Sequence, residues 1–183
     1  MAGDRHRAFE LAEPLSAADH VLGPPDSGVT VIEYGDFECP NCKQAAPAVK
    51  LLLARHAGQV RFAYRHFPLE GVHPHAAQAA QATEAAAAEN RFWEMHDLLF
   101  DNQPRLQLED LRKYAATLKL DLAHFDSAMQ AGRYLPVVRK HMDTGERSGV
   151  RSTPAFFINN RIQDVSFGLG SLFDAIDAAL KSK

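Results

Sequence analysis

The chain has 183 residues, 46% of them hydrophobic, with 23 acidic against 20 basic side chains and a formal charge of -3. That length suits one domain, or a core domain carrying a sizeable insertion, and it supports a substantial hydrophobic core. With a pI near 6.3 the chain offers no clustered basic face for nucleic acid or an anionic membrane, and no apolar run long enough to span a bilayer.

Met1 to Arg7 is charged and is followed by neither an apolar run of signal-peptide length nor a small-residue cleavage site, from which a cytoplasmic address is expected. Residues 1–28 read as an N-terminal extension. Within it Phe9 to Pro25, broken by Pro14, Gly23, Pro24 and Pro25, suggests a short edge strand and one helical turn around Ala17 to Val21. Val29 to Tyr34 is β-branched and aromatic, the composition of a buried strand, and Gly35-Asp36 breaks it ahead of Cys39-Pro40-Asn41-Cys42. The cysteines therefore fall where a strand hands over to a helix. Unpaired N–H groups and the positive end of the helix dipole favour thiolate there, and Pro40 suits the first turn because its missing N–H would have had no partner. Thiolate is the reactive form of cysteine, and Cys39, nearer the helix terminus, is read as the sulfur that attacks first.

A helix from Cys39 to His56 follows, apolar through Val49 and Leu51 to Leu53, with Pro47 expected to interrupt it by a kink near Ala45 and Ala46. Gly58 ends it, and Val60 to Phe67 alternates with the period of a strand. Strand, helix, strand implies a parallel pair with a right-handed crossover, in which function gathers beyond the carboxyl ends of the strands. Residues 29–72 form this unit. Residues 73–149 form a helical insertion, with helices at Ala76 to Ala88, Phe92 to Phe100, Leu108 to Leu118, Leu122 to Ala131 and Tyr134 to Ser148. The remainder, 150–183, returns to strand at Ala155 to Ile158 after Ser152-Thr153-Pro154, turns at Asn159-Asn160, and runs back from Arg161 to Phe167. Ser171 is expected to cap a final amphipathic helix through Leu180.

Two cysteines make no disulfide framework, and a bridge across so short a loop gains little chain entropy, which leaves thiol–disulfide exchange. The competing reading is a metal-binding protein that uses Cys39, Cys42 and histidines. It lacks a second Cys-x-x-Cys or a histidine pair at finger spacing, so no metal ligand and no cofactor is assigned. Asp36 and Glu38 crowd the approach to Cys39 and are expected to oppose its thiolate. His66, His73 and His75 read as polar loop or capping residues, and His96 as a packed, hydrogen-bonded one.

The Cys-Pro-x-Cys helix, a proline five residues past its second cysteine, and a late Thr-Pro opening a hairpin together resemble the thioredoxin fold. The helical insertion, Tyr64-Arg65-His66-Phe67-Pro68-Leu69, His73-Pro74 and the run Phe92 to Phe100 resemble its DsbA-like branch, over nearly the whole chain from Asp19 onward. The resemblance implies an α/β thioredoxin fold, a central mixed sheet with flanking helices. It implies a Cys39–Cys42 redox pair with Cys42 resolving, protein thiols or disulfides as substrates, and an unidentified redox partner, glutathione or a reductase. It places a cis peptide bond at Thr153-Pro154 opposite the cysteines, with Pro40, Asn41, Thr153 and Pro154 meeting substrate. Glu33, six residues before Cys39, matches a buried acid that takes the proton Cys42 must lose. Pro40-Asn41 departs from the Pro-His of strongly oxidising relatives, and a redox potential between the strongly oxidising and thioredoxin-like extremes is expected. A kappa-class glutathione transferase-like isomerase, on a related fold, uses serine where this chain has Cys39.

Overall fold

The structure, a computed structural model, describes residues 10–166 and 168–182. Its centre is a pair of parallel strands, β2 (Val29–Gly35) and β3 (Val60–His66), joined by helix α1 (Pro40–Arg55). Both strands are buried nearly throughout, which is why they read as apolar runs and not as strict alternation. Strands β4 (Ala155–Ile158) and β5 (Arg161–Gln163) extend the sheet antiparallel beyond β2, and β1 (His20–Leu22) closes it antiparallel beyond β3, giving the order β1-β3-β2-β4-β5.

Helices α2 (Ala76–Ala87), α3 (Phe92–Asp101), α4 (Leu108–Thr117), α5 (Leu122–Gln130) and α6 (Leu135–Arg147) form the insertion, and α7 (Gly170–Lys181) ends the described chain. One face of the sheet, through Val29, Val31, Phe62 and Tyr64, packs with Leu52 of α1, Met95 and Leu99 of α3 and Ile176 of α7. The opposite face, through Ile32, Tyr34 and Ala63, packs with Leu11, Val150 and Met142 of α6. Strand alternation thus puts Glu33, two residues beyond Val31, on the face that carries α1.

Three local expectations differ from what is observed, and at the kink expected near Pro47 the helix is unbroken. Ala17 to Val21 forms a turn followed by β1, because Val21 and Leu22 complete the sheet beside Ala63 and Phe62. The strand expected from Arg161 to Phe167 stops at Gln163, where the Asp164 carboxylate accepts from Ser166 N–H at 2.8 Å and turns the chain; Phe167 lies outside the described residues, as do Met1 to Arg7 and Phe9. Ser171 does not cap α7. Its hydroxyl lies inside the first turn and donates to the carbonyls of Asp164 and Gly168.

The hairpin turn is as expected, with Asn159 and Asn160 at φ +46° and +70°.

Candidate active site

Strand β2 ends at Gly35, and four residues later Cys39 occupies the N-cap of α1 with extended backbone (φ -75°, ψ 122°), followed by Pro40 at the first helical position. Both cysteines are free thiols; Cys39 is 5% exposed and Cys42 fully buried. The thiol of Cys39 donates to the Thr153 carbonyl oxygen at 3.4 Å, across a Thr153–Pro154 bond that is cis. The Thr153 hydroxyl is buried without a hydrogen-bond partner among the described residues, free to turn its proton toward Cys39.

Two sulfurs one helical turn apart are held in opposite states. The Cys42 thiol, working against burial and helped by the Thr153 hydroxyl and the N–H groups of Cys42 and Asn41, lowers Cys39 to about 5. Those backbone donors are the unpaired amides of a helix N-terminus. Burial, then the proton shared with Cys39 and the charge of Glu33, pushes Cys42 well above the usual thiol range, although Asp36 N–H donates to its Sγ at 3.4 Å.

Burial, then the charge of Cys39, raises Glu33 to about 8. Its carboxyl makes no hydrogen bond among the described residues and faces a cavity of about 60 Å³ lined also by Lys50, Phe62, Trp93, His96 and Asp97, with Lys50 and Asp97 ion-paired at 2.8 Å.

Asp36 and Glu38 do not act on Cys39 as their place in the sequence suggests. Asp36 Oδ1 accepts from Glu38 N–H at 2.7 Å, and its Oδ2 accepts from Leu69 N–H at 2.8 Å and His73 Nδ1 at 2.7 Å; Glu38 Oε2 accepts from His75 N–H at 2.7 Å. Burial lowers the His73 pKa, but the Asp36 carboxylate outweighs it and raises the imidazole. These contacts fasten the loop before α1 to residues more than thirty positions away. Sequence reasoning also missed Gln103, whose amide donates to the carbonyls of Phe37 and Cys39 at 2.9 and 2.8 Å. No periodicity or motif marks it.

An open cleft of about 380 Å³ flanks the cysteines, and it brings together three of the four residues expected to meet substrate, Asn41, Thr153 and Pro154, with Gln44, Val165 and Leu169. Pro40 is exposed but does not line it.

Three other histidines, His20, His66 and His141, gather around Glu84 and not around the cysteines. His66, at the end of β3, is fully buried. Its Nε2 donates to Glu84 Oε1 at 2.8 Å, and its backbone N–H to His141 Nδ1 at 3.2 Å, while His20 Nε2 reaches both Glu84 oxygens at 3.0 and 3.1 Å. His66, Glu84 and His141 are the one group of three close metal-ligating side chains among the described residues, and it contains neither cysteine. His96 packs edge-on to Tyr64 and Phe100 and bonds Asp97, as expected.

A mixed five-stranded sheet with a cysteine pair at the N-terminus of the helix after its central strand defines a thioredoxin-type protein. Residues 15–178 match the thioredoxin family, and the chain belongs to it. Solved structures share the fold: oxidised BdbD from Bacillus subtilis (TM-score 0.85, 24% identity, 95% of this chain and 98% of that one) and α-DsbA1 from Wolbachia pipientis (0.78, 19%, 96% of each). A thioredoxin-like oxidoreductase from Silicibacter pomeroyi is similar over 97% of this chain and 99% of its own, with TM-score 0.80 and 25% identity. Curated relatives are Na(+)/H(+) antiporters. This chain is 44% identical over its whole length to part of NhaA 3 of Salinispora tropica and 45% identical over 161 residues to part of NhaA 1 of Salinispora arenicola, and it spans 28% and 24% of their lengths. No helix among the described residues is long and apolar enough to cross a membrane.

Proposed function

We propose that the protein exchanges disulfides with protein substrates through Cys39 and Cys42, Cys39 attacking and Cys42 resolving. The observation that carries this is the asymmetry of the pair: Cys39 at the N-cap of α1 against the cis Thr153–Pro154 bond, and Cys42 fully buried one turn on. In the reducing direction Cys39 thiolate attacks a substrate disulfide, one substrate thiolate leaves, and a Cys39–substrate mixed disulfide forms. Cys42 then gives its proton to Glu33 carboxylate and attacks Cys39 Sγ, and the second substrate thiolate leaves. Two electrons pass from the dithiol to the substrate, and the oxidising direction is the reverse. Glu33 suits this role because a group near 8 exchanges protons at neutral pH. The cleft beside Thr153 offers backbone groups to an extended segment of the substrate protein.

The test is trapping. Cys42→Ser should accumulate mixed disulfides on Cys39, and Cys39→Ser should lose disulfide turnover; equal mixed-disulfide formation on Cys42 in Cys39→Ser would refute the assignment.

The antiporter relatives favour a finer reading, in which a cation/proton antiporter is among the exchange targets. An antiporter polypeptide in the Cys42→Ser trap supports it, and its absence from a trap that captures other membrane proteins removes it. We further propose a potential compatible with a mainly reduced pair at cytosolic glutathione poise, tested by counting free thiols in defined glutathione buffers.

A further inference from the structure

Tyr64 lies on β3 directly beside Glu33 of β2, on the face that carries α1, and is fully buried. Its ring sits in an aromatic cage, 5.1 Å from Phe37 and 4.9 Å from His96. Its hydroxyl has no hydrogen-bond partner among the described residues. A buried phenol O–H left unpaired costs about 1–3 kcal/mol, and phenylalanine would fill the same cage without that cost.

The position of the hydroxyl identifies what it serves. It lies beneath Gly35: a methyl group added there would stand 2.6 Å from Tyr64 Oη and 2.5 Å from the ring. Gly35 is the residue before Asp36, whose N–H donates to Cys42 Sγ. The phenol is thus tucked under the same short piece of backbone that already offers one donor to the resolving sulfur, and glycine at 35 keeps the space open.

We propose that Tyr64 is a positioning residue for the resolving step. Its hydroxyl and Asp36 N–H together form a two-donor cradle for the Cys42 thiolate, and the hydroxyl engages only when that thiolate forms. The inference rests on the exchange reading above. When Cys42 loses its proton to Glu33, a negative sulfur appears in a buried site; the hydroxyl does not bond the Cys42 sulfur in the thiol state, and a contact made only as the charge develops stabilises the charged state selectively. Tyr64 gives up no proton. Burial, then the charges of Cys42, Glu33, Asp36 and Cys39, raises its pKa well above the ordinary phenol value, so it stays a donor throughout the working range. The other titratable groups around the ring are His66 at 5.8 Å and His96 at 4.9 Å, and burial lowers His96 so that it adds no competing positive charge.

The experiment separates attack from resolution. Reduced protein mixed rapidly with oxidised glutathione should show a phase whose rate rises with glutathione concentration, the attack of Cys39, and a concentration-independent phase, the displacement by Cys42. In Tyr64→Phe the ratio of resolution to attack should fall about tenfold at neutral pH, roughly 1.4 kcal/mol of barrier, and the pH midpoint of resolution should rise. An unchanged ratio and midpoint in folded Tyr64→Phe overturn the proposal. A protein that never reacts with oxidised glutathione overturns the exchange reading instead. Should Tyr64→Phe not fold, 3-fluorotyrosine incorporated into the unsubstituted sequence makes the phenol a stronger donor: faster resolution supports the cradle, and an unchanged rate overturns it.

Discussion

Replacing Cys42 with alanine removes the S–H that does most to hold Cys39 as a thiolate, while leaving the helix amides and the Thr153 hydroxyl in place. The Cys39 midpoint should therefore climb from about 5 to about 6 or above, still below an ordinary thiol. Ultraviolet absorbance of the thiolate against pH measures it, and an unmoved midpoint would assign the whole shift to the helix terminus. Glu33 makes a second case. Its folded value near 8 lies above the ordinary 4.5, so the folded state binds the proton more tightly. Stability is then undiminished below pH 4.5 and falls as pH rises through 8, by on the order of a few kcal/mol. Glu33→Gln should abolish that fall; urea denaturation of the reduced protein at mildly acid and alkaline pH would show it. The cysteine asymmetry was legible in the sequence because a strand, a Gly-Asp break and a Cys-Pro pair define a helix terminus locally. The roles of Asp36 and Glu38 were not, since their partners at Leu69, His73 and His75 lie more than thirty residues on and only the fold brings them close.

Helix α6 crosses the sheet at Gly145, and the crossing is tight: a methyl group there would stand 2.7 Å from the Phe67 ring and 3.1 Å from that of Tyr34, both buried. Alanine is the better helix former by about 1 kcal/mol, but overpacking a filled core costs about 1–3 kcal/mol. The second effect should win, and Gly145→Ala should lower the urea midpoint with the slope unchanged. A raised midpoint would mean that the rings yield freely. At this scale the sequence was most readable where one period runs long enough to count, as in β2, β3 and all five insertion helices. It was least readable where tertiary pairing decides. His20 and Val21, read as part of a helical turn, belong instead to the short edge strand β1, because β3 offers them an unpaired edge. Pro47 would end an isolated helix, yet α1 continues past it because Cys42, Ala45, Val49 and Leu52 are buried along one side.

Across the whole molecule the insertion is joined to the sheet through a hydrogen-bonded contact, the buried Glu84 of α2 held between His20 of β1 and His66 of β3. Burial pushes the Glu84 carboxyl up, but hydrogen bonds from the two histidines overcome it and hold the group well below the usual carboxylate range. A depressed acid contributes stability that is present above its ordinary value of 4.5 and is lost as pH falls. Glu84→Ala leaves the buried His66 imidazole and the half-buried His20 imidazole without their acceptor and should cost about 1–3 kcal/mol. Faster hydrogen exchange concentrated in α2 and β1 would locate the damage, and uniform exchange would show that the contact does not join the two parts.

The strand order β1-β3-β2-β4-β5 also fixes a sequence of events during synthesis. Once β3 has emerged from the ribosome, β2 has a partner on one side only, and the strand that covers its other edge, β4, is separated from it by the entire helical block. At ordinary translation speed that interval is on the order of ten seconds. Throughout it the nascent chain displays an apolar strand with open N–H and C=O groups, the kind of template that other chains extend into aggregates. Helices close local contacts in microseconds to milliseconds, so α2 to α6 can assemble on β3 while β2 still waits. The chain is then most vulnerable to misassembly just before Ala155 emerges, and a ribosome stalled before β4 emerges should hold a nascent protein that binds chaperones more strongly than one stalled once β5 has emerged.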